Sequence, residues 1–105
     1  MVFLAEPTTH SQNLFVVGLV EDAGAGEVWI GGSDLVHEGR WLWMNSDQNI
    51  NSGYTNWEPG QPDNWQEGHC MRLWASHAHH WDDFNCSEKY PFVCQSPLSD
   101  AVVVG

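Results

Sequence analysis

The alternation of apolar and polar residues near the start of the chain predicts one amphipathic helix. Thr9 and Gln12 fit a capping box, in which the N-cap residue and the residue three positions later satisfy each other's backbone N–H groups. Glycine favours helix ends, so Gly24 or Gly26 is expected to stop the helix. The expected helix therefore runs from about Thr9 to Asp22. Four apolar or small residues fall on one of its faces: Leu14, Phe15, Gly18 and Leu19.

Short apolar runs between turn-forming residues predict β-strands over the rest of the chain. The candidate strands are residues 28–32, 40–44, 69–74, 80–84 and 90–95, and the valine-rich residues 101–104 have strong β character. Residues 45–65 are rich in asparagine and poor in aliphatic side chains, so they predict a long ordered loop or a disordered linker. The aromatic residues within this segment favour order. Together these elements predict an α+β fold with short antiparallel strands.

Length, composition and charge limit the possible classes of protein. A chain of 105 residues with 42% hydrophobic residues and seven tryptophans is typical of one packed domain. The formal net charge is −11, and the only cations are Arg40, Arg72 and Lys89, so we expect neither nucleic acid nor an anionic membrane as a partner. No apolar run approaches membrane-spanning length, so no membrane insertion is expected.

Two groups of oxygen-bearing side chains indicate a site for a hard cation. Gln61 and Asp63 flank a proline, and Asp82 and Asp83 lie further along the chain, with Glu67 between the two groups. Calcium takes about six to eight oxygen ligands, which separate loops can supply. The sequence therefore predicts a calcium site that binds a polar ligand.

The three cysteines leave one residue without an obvious partner. Cys70 and Cys86 could close a loop by a disulfide, which is worth roughly 3 kcal/mol in the chain-entropy model. Cys94 is then unpaired, which suggests a free thiol, an intermolecular bridge or a missing piece of chain. The chain has no Cys-x-x-Cys pair, no nucleophile–base pairing and no HExxH-type helix, so we expect a binding protein and not an enzyme.

Several motifs follow one order along nearly the whole chain. They are Trp29-Ile30-Gly31, Trp41 and Trp43, Tyr54-Thr55-Asn56-Trp57, Gln61-Pro62-Asp63, Cys70, Trp81-Asp82-Asp83, Cys86 and Phe92-Val93-Cys94. In order and spacing these motifs resemble the C-type lectin-like domain. The resemblance implies a double-loop fold with small antiparallel sheets, helices and a long calcium-binding loop.

The resemblance also predicts how the chain is divided. Residues 1–95 match the domain, and residues 96–105 form a tail. The predicted helix matches the family's second helix, so the family's first strand and first helix, with the partner of Cys94, are expected to be absent. The tail could then supply an added strand, or two chains could form a homodimer by exchanging strands or by linking through Cys94.

Carried over residue by residue, the resemblance implies a main calcium site. Two positions of this site differ from the usual family pattern. The implied ligands are Gln61, Asp63, Glu67, Asp82 and Asp83, and the bond before Pro62 is implied to be cis. The family's glutamate lies two residues before the cysteine, where this chain has Gly68, and Glu67 is one position earlier. Asp82 stands where sugar-binding members usually have asparagine, and an ionised aspartate only accepts hydrogen bonds. The site therefore gains a charge and loses a donor to the sugar.

The resemblance further implies a secreted, calcium-dependent lectin. Gln-Pro-Asp resembles the tripeptide of galactose-preferring members, so galactose-type or microbial cell-wall glycans are the expected ligands. Trp65 stands where such members often place an aromatic ring against the sugar, although it could instead pack the loop. The implied carbohydrate-binding residues are Gln61, Asp63, Trp65, Asp82 and Asp83. The alternative is a non-lectin use of the same fold, for binding protein, ice or mineral.

Two weaker metal sites complete the expectations. Asp34 and Glu38 match the spacing of an auxiliary calcium site of the family, and Asn64 could join them, but His69 stands where an acidic ligand is often found. A second group contains His77, His79 and His80, in a predicted hairpin between two strands. Histidines two apart on a strand share a face, which suits zinc, whereas exposed hairpin histidines are also ordinary.

Overall fold

The computed structural model describes residues 2–63, 67–96 and 101–105. Its elements, in chain order, are β1 (Phe3–Leu4), α1 (His10–Asp22), β2 (Val28–Ser33), β3 (Leu42–Trp43), β4 (Gly68–Trp74), β5 (His80–Asn85), β6 (Phe92–Gln95) and β7 (Ala101–Val104). Short 3₁₀ turns lie at Ile50–Ser52 and Ala75–His77. The α+β class is therefore confirmed.

Helix α1 begins and ends where the sequence predicts. The Thr9 hydroxyl accepts a hydrogen bond from the Gln12 N–H at 3.1 Å, and Gly24 follows the helix with a φ of 67°. The reciprocal bond of the predicted capping box differs, because the Gln12 side chain accepts from the Thr8 N–H at 2.8 Å.

Within the described ranges, no helix is long and apolar enough to cross a membrane.

The buried face of α1 differs from the predicted one. The helix buries Asn13, Val16 and Val20, whereas Leu14 and Phe15 are more than half exposed. Residues 14–20 are apolar nearly all round the helix, so their periodicity does not identify the side that packs on the sheet. The face that contains Leu14 and Phe15 is therefore not the one that packs on the sheet.

The described strands join into one mixed sheet. Its main path runs β1-β6-β2-β4-β5, β3 pairs with β2, and β7 pairs with β6. The pairs are antiparallel except β2 and β6, which are parallel at Trp29 and Phe92. This parallel pair corrects the expectation of antiparallel strands alone. The predicted disulfide between Cys70 and Cys86 is confirmed, and it ties β4 to the turn after β5.

Strand β7 lies on β6 of the same chain. Its register pairs Phe92 with Val104 and Gln95 with Ala101, while β1 pairs with the same strand at Cys94 and Gln95. Cys94 is a partly buried free cysteine between these neighbours. The tail therefore supplies, within one chain, the strand that an exchange between two copies would otherwise provide.

Aromatic side chains connect the helix to the sheet. Trp81 of β5 is fully buried, and its indole N–H donates to the Asn13 side-chain oxygen of α1 at 2.9 Å. Trp43 of β3 meets the Trp81 ring edge-on, with the ring centroids 5.5 Å apart. One side chain thus contacts α1 and β3 while it belongs to β5.

Replacing Asn13 by alanine should leave the indole N–H of Trp81 buried without its acceptor. We expect the free energy of unfolding to fall by about 1–3 kcal/mol, measured by urea denaturation. Asn51→Ala is the matched control, because Asn51 accepts from the indole N–H of Trp57 at 2.9 Å in an exposed position that water can reach. An equal loss in both variants would contradict this account.

Candidate functional site

The segment between β3 and β4 is attached to β5 at Trp81. The Trp81 N–H donates to the Asn56 carbonyl at 2.8 Å, and the Glu58 N–H donates to the Trp81 carbonyl at 2.8 Å. The Trp57 ring meets the Trp81 ring edge-on at 5.9 Å between centroids. For the described residues, the ordered loop is therefore correct and the disordered linker is not.

Three of the predicted calcium ligands lie together at the end of this loop. The Gln61 side-chain amide donates to an Asp63 carboxylate oxygen at 3.3 Å, and the Asp63 N–H donates to Asp83 Oδ1 at 3.0 Å. The bond between Gln61 and Pro62 is cis, as the resemblance implies. Gln61 Oε1 is buried, and among the described residues it has no hydrogen-bond partner. Hydrogen bonds therefore link Gln61 to Asp63 and Asp63 to Asp83, and the side-chain oxygen of Gln61 lacks a donor.

Glu67 and Gly68 show why the family's glutamate is not part of this group. A Cβ on Gly68 would lie 2.8 Å from Asp83 Oδ2, so a side chain at this position would displace the Asp83 carboxylate. Glu67 is exposed and has a φ of 59°. In the described part of the chain, the one group of three His, Cys, Asp or Glu side chains with ligand atoms within 4.8 Å of one another includes neither Glu67 nor the two aspartates Asp63 and Asp83.

Asp82 also does not join the three ligands, because Arg72 binds both of its oxygens. Arg72 Nε donates to Asp82 Oδ1 at 2.9 Å, and Nη2 donates to Oδ2 at 3.1 Å. Successive strand residues point to opposite faces of a sheet, so Asp82 and Asp83 point apart. Burial raises the pKa of Asp82 above its usual value, while the hydrogen bonds from Arg72 oppose this rise. The predicted ligand is thus half of a buried ion pair.

Sequence reasoning missed this role of Arg72, which is itself buried. Its guanidinium lies 3.8 Å above the Phe84 ring and donates to the Tyr90 hydroxyl at 2.9 Å. The available signal was the hairpin register, because residues 72 and 82 lie at equal distances from the turn centred near residue 77. That register makes Arg72 and Asp82 direct cross-strand neighbours.

The auxiliary site is partly assembled. Asp34 Oδ1 lies 2.8 Å from His69 Nδ1, and Glu38 Oε1 lies 3.9 Å from the same nitrogen. Within the described ranges, these residues form the only group of three His, Cys, Asp or Glu side chains whose ligand atoms lie within 4.8 Å of one another. Asn64 and Trp65, which were also predicted to contribute to the sites, lie outside the described residues.

The three histidines of the β4–β5 turn do not form the predicted zinc site. His77 stacks on Trp74 with the ring centroids 3.4 Å apart, and His80 Nδ1 lies 2.6 Å from Glu58 Oε1. His79 has a positive φ of 59°, so the turn breaks the strand alternation on which the shared face depended. The described residues contain no three-ligand group that includes these imidazoles.

Comparisons with known proteins agree with this fold. A family model described as Lectin C-type domain matches residues 2–96. Salivary C-type lectin 2 of Aedes albopictus is 36% identical over 103 residues, which cover 88% of this chain and 66% of that protein. The chain therefore spans less than two thirds of that relative's length.

Two solved structures have the same fold. One is the cow C-type carbohydrate-recognition domain of CD23, in the presence of a GlcNAc2Man3 oligosaccharide. Its identity is 32% and its TM-score 0.73, covering 89% of this chain and 67% of that one. The other is a calcium-independent type II antifreeze protein, with 27% identity and a TM-score of 0.75, covering 99% of this chain and 70% of that one.

Replacing Arg72 by methionine should leave the buried Asp82 carboxylate without a partner of opposite charge. We expect the free energy of unfolding at neutral pH to fall by about 3–5 kcal/mol, because Asp82 loses its counter-ion. The loss should shrink at acidic pH, because protonation of Asp82 removes the buried charge that has no counter-ion in the variant. Urea denaturation at several pH values measures this. Arg40→Met, at an exposed position, is the control, and a pH-independent loss at Arg72 would contradict the ion-pair explanation.

The His69 imidazole should titrate above its ordinary range. The hydrogen bond to Asp34 raises the pKa of His69, and the charges of Asp34, Glu38 and Glu67 add to the rise against the opposing effect of burial. The stabilisation of the fold by the His69–Asp34 contact is therefore present at acidic pH, and it is lost as the pH rises through the pKa of His69 in the folded protein. Proton NMR titration in the absence of metal measures this value. Asp34→Asn should lower it, and an unchanged value would contradict the assignment.

Proposed function

This chain belongs to the C-type lectin domain family, and from that membership we propose that it is a calcium-dependent lectin that binds carbohydrate through Gln61, Asp63 and Asp83. Members of this family bind carbohydrate as their general activity, and the three residues are the part of the implied calcium site that lies together here. Asp82 is left out of the proposed ligand set because it is paired with Arg72, and Glu67 is left out because it lies one position before the family's glutamate position, which is Gly68 here.

The observation that carries the proposal is the buried Gln61 Oε1. A buried oxygen without a donor costs about 1–3 kcal/mol, and a bound cation removes this cost. Asp63 contacts the amide nitrogen of the same side chain, Asp83 contacts the Asp63 N–H, and the two carboxylates supply the negative charge that a hard divalent cation requires. The chemistry of the donor set therefore fits calcium, with water or ligand oxygens completing its coordination.

The same residues could orient a sugar. Bound calcium would polarise two neighbouring sugar hydroxyls, the carboxylates of Asp63 and Asp83 would accept hydrogen bonds from them, and the Gln61 amide would donate a hydrogen bond. The Gln61-Pro62-Asp63 order supports galactose-type or microbial cell-wall glycans, with Trp65, outside the described residues, against the apolar side of the ring. An auxiliary calcium ion at Asp34 and Glu38, with Asn64 as a further ligand, completes the proposal.

The proposal also covers location and assembly. The disulfide and the salivary relative support a secreted protein, since disulfides persist in oxidising compartments. The pairing of β7 with β6 within one chain supports a monomer over a strand-exchanged dimer.

The second candidate function is calcium-independent binding of a protein, ice or mineral surface. Two observations favour it, since both reduce the number of calcium ligands. Asp82 is hydrogen-bonded to Arg72, and a side chain at position 68 would collide with Asp83. The antifreeze protein with the same fold is described as calcium-independent. Chelation of calcium discriminates the two functions, because only the lectin should lose its ligand.

Asp83→Asn should weaken calcium binding about 10-fold or more, because it removes one of two ligand charges. Isothermal titration measures the affinity for calcium, and retention on galactose-agarose with and without EDTA measures sugar binding and its dependence on calcium. We expect Gln61→Ala to lose sugar retention as well. Asp22→Asn removes the same charge at the exposed end of α1 and should bind like the unmodified chain. Sugar retention that survives EDTA would overturn the calcium-dependent function.

A further inference from the structure

Glu58 lies in the loop between β3 and β4, three residues before Gln61, and three hydrogen bonds hold it there. Its N–H donates to the Trp81 carbonyl at 2.8 Å, and its carboxylate lies 2.6 Å from His80 Nδ1. Its own carbonyl accepts from the Gln61 N–H at 2.9 Å. Glu58 thus connects strand β5 to the first residue of the Gln61-Pro62-Asp63 tripeptide.

The link between Glu58 and Gln61 is a tight β-turn. Pro59 occupies the second position of the turn, Gly60 follows with a φ of 89°, and the N–H of the fourth residue bonds back to the first. Proline at the second position and a positive φ at the third are the signature of a type II turn. The sequence of the turn therefore fixes its shape, so whatever fixes Glu58 also fixes the position of Gln61.

His80 provides a firm attachment for Glu58. It lies in β5, where it pairs with Trp74 of β4, and it directly precedes the buried Trp81. The Glu58 side chain is 23% exposed and the His80 side chain 38%, so the contact is partly shielded from water. A hydrogen bond from an imidazole to a carboxylate is charge-assisted and stronger than one between neutral groups.

We propose that the Glu58–His80 pair is a positioning device that holds Gln61 in place for calcium and sugar. This inference rests on the proposed function of Gln61 as a calcium ligand. Neither Glu58 nor His80 touches the ion in this account, since both act through the backbone of the turn. Supporting groups of this kind typically contribute about 10- to 100-fold to metal affinity.

The test compares Glu58→Ala, Glu58→Gln and His80→Ala with Glu88→Ala, which removes an exposed charge outside this loop. The first readout is hydrogen exchange of the Gln61 amide by NMR in EDTA. We expect exchange to accelerate about 10-fold in Glu58→Ala and His80→Ala, because local opening becomes easier. Glu58→Gln keeps an acceptor for the imidazole N–H but loses its charge, so exchange should fall between that of the unmodified chain and that of Glu58→Ala.

The second readout is calcium affinity by isothermal titration, with thermal unfolding in EDTA as a check on the fold. We expect about 10-fold weaker calcium binding in the two alanine variants, with no further loss when they are combined, because each removes the same contact. Unchanged Gln61 exchange in Glu58→Ala would overturn the positioning role whatever the calcium result. An unmodified chain that binds no calcium would instead overturn the proposed function, while the exchange data still decide whether the pair holds Gln61.

Discussion

The packing of Trp81 is the interaction on which the rest of the structure depends. Its indole N–H is satisfied by Asn13 of α1, and its ring is enclosed edge-on by aromatic side chains of β3 and of the long loop: Trp43, Tyr54 and Trp57. Its backbone bonds to the loop on both sides, at Asn56 and Glu58. Burial of one large aromatic residue therefore stabilises the core and at the same time fixes a segment with little core of its own. The loop between β3 and β4 is in effect a part of the core that extends to the surface.

This arrangement separates the two aspartates that follow Trp81. Strand alternation points Asp83 toward Asp63, where the loop ends, and Asp82 toward Arg72 on the other face. A buried arginine needs a counter-ion, and the bidentate contact with Asp82 provides it beneath the Phe84 ring. Adjacent residues of the same type thus do different work, one supporting the sheet and one supporting the site.

The sequence predicted the features that depend on local or motif-level rules. The helix that starts after Thr9 follows from side-chain capping, and the Cys70–Cys86 bridge and the α+β class agree with the structure. It failed where long-range pairing decides the outcome. The apolar face of α1 could not be chosen because apolar residues surround that helix, and the Asp82 partner depends on hairpin register. The contacts of Glu58 with Trp81, His80 and Gln61 also depend on the folded loop, so no local pattern in the sequence indicates them.

The burial of Arg72 also removes positive charge from an acidic surface. The chain has three cationic side chains and fourteen acidic ones, and the ion pair with Asp82 removes one of the three from the surface. Only Arg40 and Lys89 remain as exposed positive groups. An anionic ligand therefore meets net repulsion, which weakens with added salt. A neutral ligand meets none, so under the proposed lectin function the charge of the protein favours uncharged glycans.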